Sequence, residues 1–237
     1  MKYSLREYVD LVVEDSLDER LRGGFDLNQF KRLKTPEERS AYAKEHLTLK
    51  LGEGSSRDAW ALSTGKVLKT IIPDEEMAFS IDQCKNEYAA FEKYGAEYIP
   101  RVYDRAPDFT WLIVEPVRAF SMITFSSGVL PEKCGFNEWA LREFGRFFNR
   151  GIVKDNNPEI IWNKCMDNDL NKRIIEHPNE EAKPLAPYYN ELPAMGQELL
   201  QKFIFLSKHG MIDIGRTDHW GWTADGRVVC LDPGVTK

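Results

Sequence analysis

Leu51-Gly52-Glu53-Gly54-Ser55-Ser56-Arg57, followed by Val67-Leu68-Lys69, is the stretch on which the fold turns. Leu47, Leu49 and Leu51 alternate with polar residues, the period of a half-buried strand. Ala59-Trp60-Ala61-Leu62 reads as a second strand, Ser63-Thr64-Gly65-Lys66 as a turn, and residues 67–72 as a third strand. Residues 76–95 read as a helix. Two more strands follow, at residues 99–104 and 110–115. The order is therefore β-β-β-α-β-β with short connections. Beyond Pro116 the pattern turns mainly helical, with clear periodicity at 137–149 and 194–208, and a last pair of strands flanks Ala224-Asp225-Gly226.

Ahead of this region, residues 3–22 place Leu5, Tyr8, Val9, Val12 and Val13 on one helical face. Thr35-Pro36-Glu37-Glu38 is a helix start: Thr35 can cap, Pro36 suits the first turn and Glu38 can close a capping box. We expect three parts: a helical extension over 1–46, a small sheet with one helix over 47–117, and a helical part over 118–237.

Composition narrows the function. The chain has 237 residues, of which 42% are hydrophobic and 30% charged, the balance of a globular protein with a real core. The net charge of −6 argues against a general nucleic-acid binder, whose affinity rests on excess Lys and Arg. Cys84, Cys134, Cys165 and Cys230 are scattered, form no CxxC pair and have no zinc-ligand spacing. Reduced thiols and a cytoplasmic location are expected. The first residues are interrupted by charge, unlike a signal peptide, and no apolar run is long enough to span a bilayer, so no membrane partner is expected.

Several residues can carry chemistry. The Gly52-x-Gly54 turn lets backbone amides approach a phosphate; alone, it is equally an ordinary hairpin turn. Lys69 sits among apolar residues on the third strand, facing either inward or out at a solvated edge. An inward lysine needs a carboxylate to orient it. Glu87, within Cys84-Lys85-Asn86-Glu87-Tyr88, lies near the core-facing side of its helix, and Glu92 competes. Near the C-terminus the chain reads Asp213-Ile214-Gly215-Arg216-Thr217-Asp218-His219-Trp220-Gly221, then Val228-Val229-Cys230-Leu231-Asp232-Pro233-Gly234. Asp232 leaves an apolar strand into a turn, a good place for an oxygen ligand of Mg²⁺. Asp213 can accept a proton from a substrate hydroxyl. Asp218 and His219 can complete the metal shell, the aspartate being the better Mg²⁺ ligand and the histidine equally a loop-positioning group.

Taken together, residues 49–117 and 205–236 resemble the protein-kinase-like superfamily, and in particular small kinase-like proteins encoded by bacteriophages. The resemblance implies an α+β, two-lobed protein-kinase-like fold: a small antiparallel β-sheet N-lobe with one helix, then a minimal, mainly helical truncated C-lobe. It implies Gly52, Gly54, Ser55 and Ser56 as the phosphate-covering loop, Lys69 and Glu87 as an ion pair, and Glu115, Pro116 and Val117 as the adenine-contacting hinge. Asp213 would be the catalytic-loop aspartate and Asp232 the metal aspartate, with Pro233 in the place of the usual phenylalanine. ATP and Mg²⁺ are the implied cofactors. The acceptor would be a protein or small-molecule hydroxyl, and a phage origin would place the protein in host cytoplasm.

The sequence also departs from that pattern. Arg57 stands at the third glycine, Met211-Ile212-Asp213 replaces His-Arg-Asp, and the loop from Asp213 to Asp232 is one residue irregular, leaving Asp218 and His219 as rival second metal ligands. Only Val235-Thr236-Lys237 follow Gly234, so we expect no activation segment and no usual peptide platform. Three activities remain open: phosphotransfer, a pseudokinase that binds a partner, and nucleotidyl transfer with ATP reversed.

Overall fold

The structure, a computed structural model, describes residues 24–53, 56–74, 76–120, 133–149, 155–176, 183–212, 214–215, 219–231 and 234–235. The helix expected over 3–22 lies outside them. The described residues form a mixed α+β protein with antiparallel sheets and six α-helices. None of these helices is long and apolar enough to cross a membrane. Contacts divide the chain into two compact units: unit 1 is Met1–Arg118 with Trp222–Arg227, and unit 2 is Ala119–Gly221 with Val228–Lys237.

Unit 1 begins with two short helices, α1 (Leu27–Arg32) and α2 (Pro36–His46). The Asp26 carboxylate caps α1 by accepting from the Asn28 amide at 2.8 Å. The capping box expected at Thr35 is present in both directions: Glu38 N–H donates to the Thr35 hydroxyl, and the Glu38 carboxylate accepts from Thr35 N–H. The five-stranded sheet follows as β1 (Lys50–Glu53), β2 (Arg57–Ala61), β3 (Val67–Ile71), β4 (Val102–Arg105) and β5 (Trp111–Val114), in the order β1-β2-β3-β5-β4. All its pairings are antiparallel. One helix, α3 (Met77–Tyr94), joins β3 to β4. The first strand starts later than the leucine alternation suggests, because Leu47 ends α2 as its C-cap.

Strand alternation divides the sheet residues between two cores. Trp60, Leu68, Trp111 and Ile113 pack with Phe30, Tyr42 and Ala43 of α1 and α2. Val67, Ile71, Leu112 and Val114 pack with Cys84 and, at its margin, Ile81 of α3. Covered on both faces, β5 is buried at every residue, which explains its unbroken apolar run. Residues 27–46 thus supply one cover of the sheet. Arg39 reinforces this by pairing with Asp108 at 3.0 Å, in the turn before β5.

Unit 2 holds α4 (Glu138–Asn149), α5 (Pro158–Glu176), a 3₁₀ turn at Tyr189–Glu191 and α6 (Ala194–Lys208). Its core is aromatic: Trp162 lies 5.0 Å from Phe136 and 5.3 Å from Phe144, which lies 5.4 Å from Phe203. The remaining strands are β6 (Val117–Ala119), β7 (Met211–Ile212), β8 (Trp220–Thr223), β9 (Val228–Cys230) and β10 (Gly234–Val235). They form a three-stranded sheet, β6-β8-β9, and a two-stranded one, β10-β7. All four cysteines are free and buried.

Candidate functional site

The site in unit 1 follows from the register of β2 and β3. Ala59 stands opposite Lys69, and Arg57 opposite Ile71. Arg57, Ala59, Lys69 and Ile71 therefore share one face of the sheet, the face covered by α3. Lys69 is flanked along its strand by Val67 and Ile71, both buried on that same side. Its ammonium is thereby aimed inward.

Glu87 meets it from α3. Its side chain is only 2% exposed, and its Oε1 lies 2.5 Å from the Lys69 ammonium. Its other oxygen, Oε2, lies 2.6 Å from the Arg57 guanidinium. Burial pushes the Glu87 carboxyl up, but the charges of Lys69 and Arg57 and their hydrogen bonds outweigh it, so the group is held below the ordinary carboxylate range. Glu92, the rival carboxylate, is exposed. Cys84 sits one turn before Glu87 as a buried thiol; burial pushes it up, and the nearby Arg57 charge pulls the other way.

The other expected ligand groups are placed as follows. Gly52 is exposed in β1, and a Cβ built there meets nothing within 4 Å among the described residues, whose packing therefore does not require a glycine. The Ser56 hydroxyl donates to the Gln83 side chain of α3 at 2.5 Å. Gly54 and Ser55 lie outside the described residues. The Glu115 carboxylate is held by Arg101 at 3.0 Å and by Arg227 at 2.5 Å, and its amide donates to the Arg101 carbonyl. Both its side chain and its N–H are thus engaged within unit 1. Val117 opens β6 and is buried.

In unit 2, Asp213, Asp218 and Asp232 lie outside the described residues. Described residues that flank them in sequence are hydrogen-bonded. Met211–Ile212 pairs with Gly234–Val235, Gly234 standing opposite Ile212, so the chain just before Asp213 runs beside the chain just after Asp232–Pro233. The Trp220 indole donates to the Ile214 carbonyl at 2.6 Å. His219 is buried, and its carbonyl accepts from Leu231 N–H at 2.7 Å. Among the described residues, no group of three or more His, Cys, Asp or Glu side chains comes together as a metal site.

In the sequence Arg57 stands out only as a substitution at a loop glycine, with no partner indicated. The signal was available in the alternation: Arg57 is two residues from Ala59, and residues so spaced share a face. Gln83 had no comparable signal. No protein-family model, curated protein or solved structure matches the chain.

Proposed function

We propose that this chain is an ATP-dependent phosphotransferase of protein-kinase-like, two-lobed fold, which transfers the γ-phosphate of Mg-ATP to a hydroxyl acceptor. The observation that carries the reading is the Lys69–Glu87 pair: an inward lysine on the third strand, 2.5 Å from a buried carboxylate on the helix that follows it. The donor set suits the cofactor. Lys69 offers a positive charge, and the open space at Gly52 admits close approach of a phosphate to backbone. Bound Mg-ATP would supply the transferable phosphoryl group.

In this reading Lys69 holds phosphate oxygens and Glu87 fixes its direction. Asp232 and Asp218 offer the hard oxygen ligands Mg²⁺ prefers. Asp213 orients the acceptor hydroxyl and receives its proton. Most of the rate gain comes from positioning and charge neutralisation. The antiparallel β7–β10 pair is in keeping with this, since it pairs the two residues that precede Asp213 with the two that follow Pro233.

A second reading, a partner-binding pseudokinase, draws on one observation. Ser56 and Arg57, at the end of the glycine loop, are turned onto Gln83 and Glu87 of α3. Calorimetric titration of the full chain with Mg-ATP decides between them. Saturable, magnesium-dependent binding by wild type, lost in Lys69→Ala and Asp232→Ala, is the expected result. A folded wild type that binds no Mg-ATP overturns the proposal and leaves the partner-binding module. Tracking label from the α- against the γ-phosphate then separates adenylate transfer from phosphate transfer.

A further inference from the structure

One carboxylate serves two cations, and each has its own oxygen. Lys69 takes Oε1 of Glu87 and Arg57 takes Oε2. The two cations are diagonal neighbours across β2 and β3, on the face covered by α3. Arg57 is fixed there by the first pairing of β2, opposite Ile71, and its side chain is 13% exposed. A guanidinium stays charged at every relevant pH and grips a carboxylate in a defined plane.

This arrangement solves a difficulty of a lysine with two duties. A buried carboxylate stripped of its partner is strongly destabilising. If Lys69 were the sole cation at Glu87, turning its charge toward a bound anion would strand that carboxylate. With Arg57 on the second oxygen, Glu87 keeps a cation whatever Lys69 does. We infer that Arg57 is a positioning residue for anion binding at Lys69: by holding Glu87, it frees the Lys69 ammonium to engage the phosphates of a polyphosphate ligand. The inference rests on the nucleotide reading above for the identity of that ligand, and it supplies a use for the residue that replaces a loop glycine.

The test is a double-mutant cycle on the full chain. Affinities for inorganic tripolyphosphate and for Mg-ATP are measured in wild type, Arg57→Gln, Arg57→Lys, Glu87→Gln and Arg57→Gln/Glu87→Gln, with thermal melts as the folding control. Arg57→Gln is expected to weaken binding about tenfold, and Arg57→Lys to recover most of the loss. In the Glu87→Gln background the same Arg57→Gln change is expected to cost less than about twofold, because no carboxylate remains to hold Lys69 back.

Equal losses in both backgrounds overturn the inference and make Arg57 a direct ligand of the anion. No loss in Arg57→Gln also overturns it. Should Glu87→Gln fail to fold or to bind, acylation of Lys69 by acetic anhydride, read by mass spectrometry in wild type and Arg57→Gln, decides instead. Slower acylation in Arg57→Gln supports the inference, since Glu87 then draws on Lys69 without Arg57 to share it; an unchanged or faster rate overturns it. Binding of tripolyphosphate without ATP, with the cycle as expected, upholds the inference and removes the nucleotide reading. Binding of ATP that is indifferent to Arg57 does the reverse. A folded wild type that binds neither ligand removes both.

Discussion

Glu87 shows what a single residue must satisfy to sit charged in a core. An isolated buried carboxylate would take up a proton rather than stay ionised. Here Lys69 and Arg57 hold it below its ordinary value of 4.5 in spite of burial. The sign of the pH effect follows. A carboxylate with a depressed folded value contributes stability that is fully present above pH 4.5 and is lost as pH falls through the folded value. The melting temperature of wild type should therefore drop more steeply between neutral pH and about pH 3 than that of Glu87→Gln. At pH 7, Glu87→Gln should be the less stable protein by about 3 kcal/mol, because two partly buried cations lose their shared partner. Melts of the two proteins across this range give both numbers; parallel curves would show that Glu87 is not the ionised centre of the cluster.

Two glycines separate structural need from ligand need at the scale of elements. Gly196, in the first turn of α6, lies against the backbone before α4: a Cβ there would stand 2.1 Å from the Cys134 carbonyl oxygen and 2.9 Å from its carbon. Backbone cannot yield as a flexible side chain can. Gly196→Ala should cost about 2 kcal/mol or more through forced separation of packed backbone, read as a lower denaturant midpoint. Gly52→Ala meets open space, so stability should hold while Mg-ATP affinity falls. A Gly52→Ala protein that binds normally would detach the first strand from the site. Elements with one clean period were legible in sequence: β3, α3, β5, α4 and α6 fall close to where alternation or helical spacing put them, whereas β2 begins two residues earlier than expected, at Arg57, and β4 begins at Val102 rather than at residue 99. The Lys69–Glu87 meeting was legible only in part: alternation left Lys69 inward or at a solvated edge and left Glu92 as a rival, and the helix buries Ser80, Cys84, Glu87 and Ala90 rather than the Tyr88–Phe91 side. Helix α5 was not legible. Its core residues Ile161, Trp162, Cys165 and Met166 make one face, but exposed Ile160, Ile174 and Ile175 blur the period. Nor could spacing reveal that Gly234 pairs with Ile212, since register between distant strands depends on tertiary packing.

For the whole molecule, the division into two units sets how ligand binding should register. Lys69, Glu87, Arg57 and Gly52 all belong to unit 1, whereas residues 213, 218, 219 and 232 belong to unit 2. The chain passes from one unit to the other more than once, because Trp222–Arg227 belongs to unit 1 between two stretches of unit 2. Within unit 1 that segment is clipped in place: Arg227 reaches Glu115 at 2.5 Å, Asp225 at 2.9 Å and the Ala96 carbonyl. A ligand that binds only the folded protein stabilises it by mass action, and at about 100 times its dissociation constant the gain is about 2.7 kcal/mol. Amides that exchange only through opening of the ligand-binding structure should then slow about a hundredfold. Hydrogen exchange with and without Mg-ATP reads this peptide by peptide. Protection should appear in β2, β3 and the middle of α3, and vanish in Lys69→Ala. Protection confined to unit 1 would mean that its opening is a separate event from that of unit 2. Equal protection in the aromatic core around Trp162 and Phe203 would mean that the units open as one cooperative body. Protection that persists in Lys69→Ala would place the nucleotide elsewhere, and with it the role assigned to the Lys69–Glu87 pair would fall.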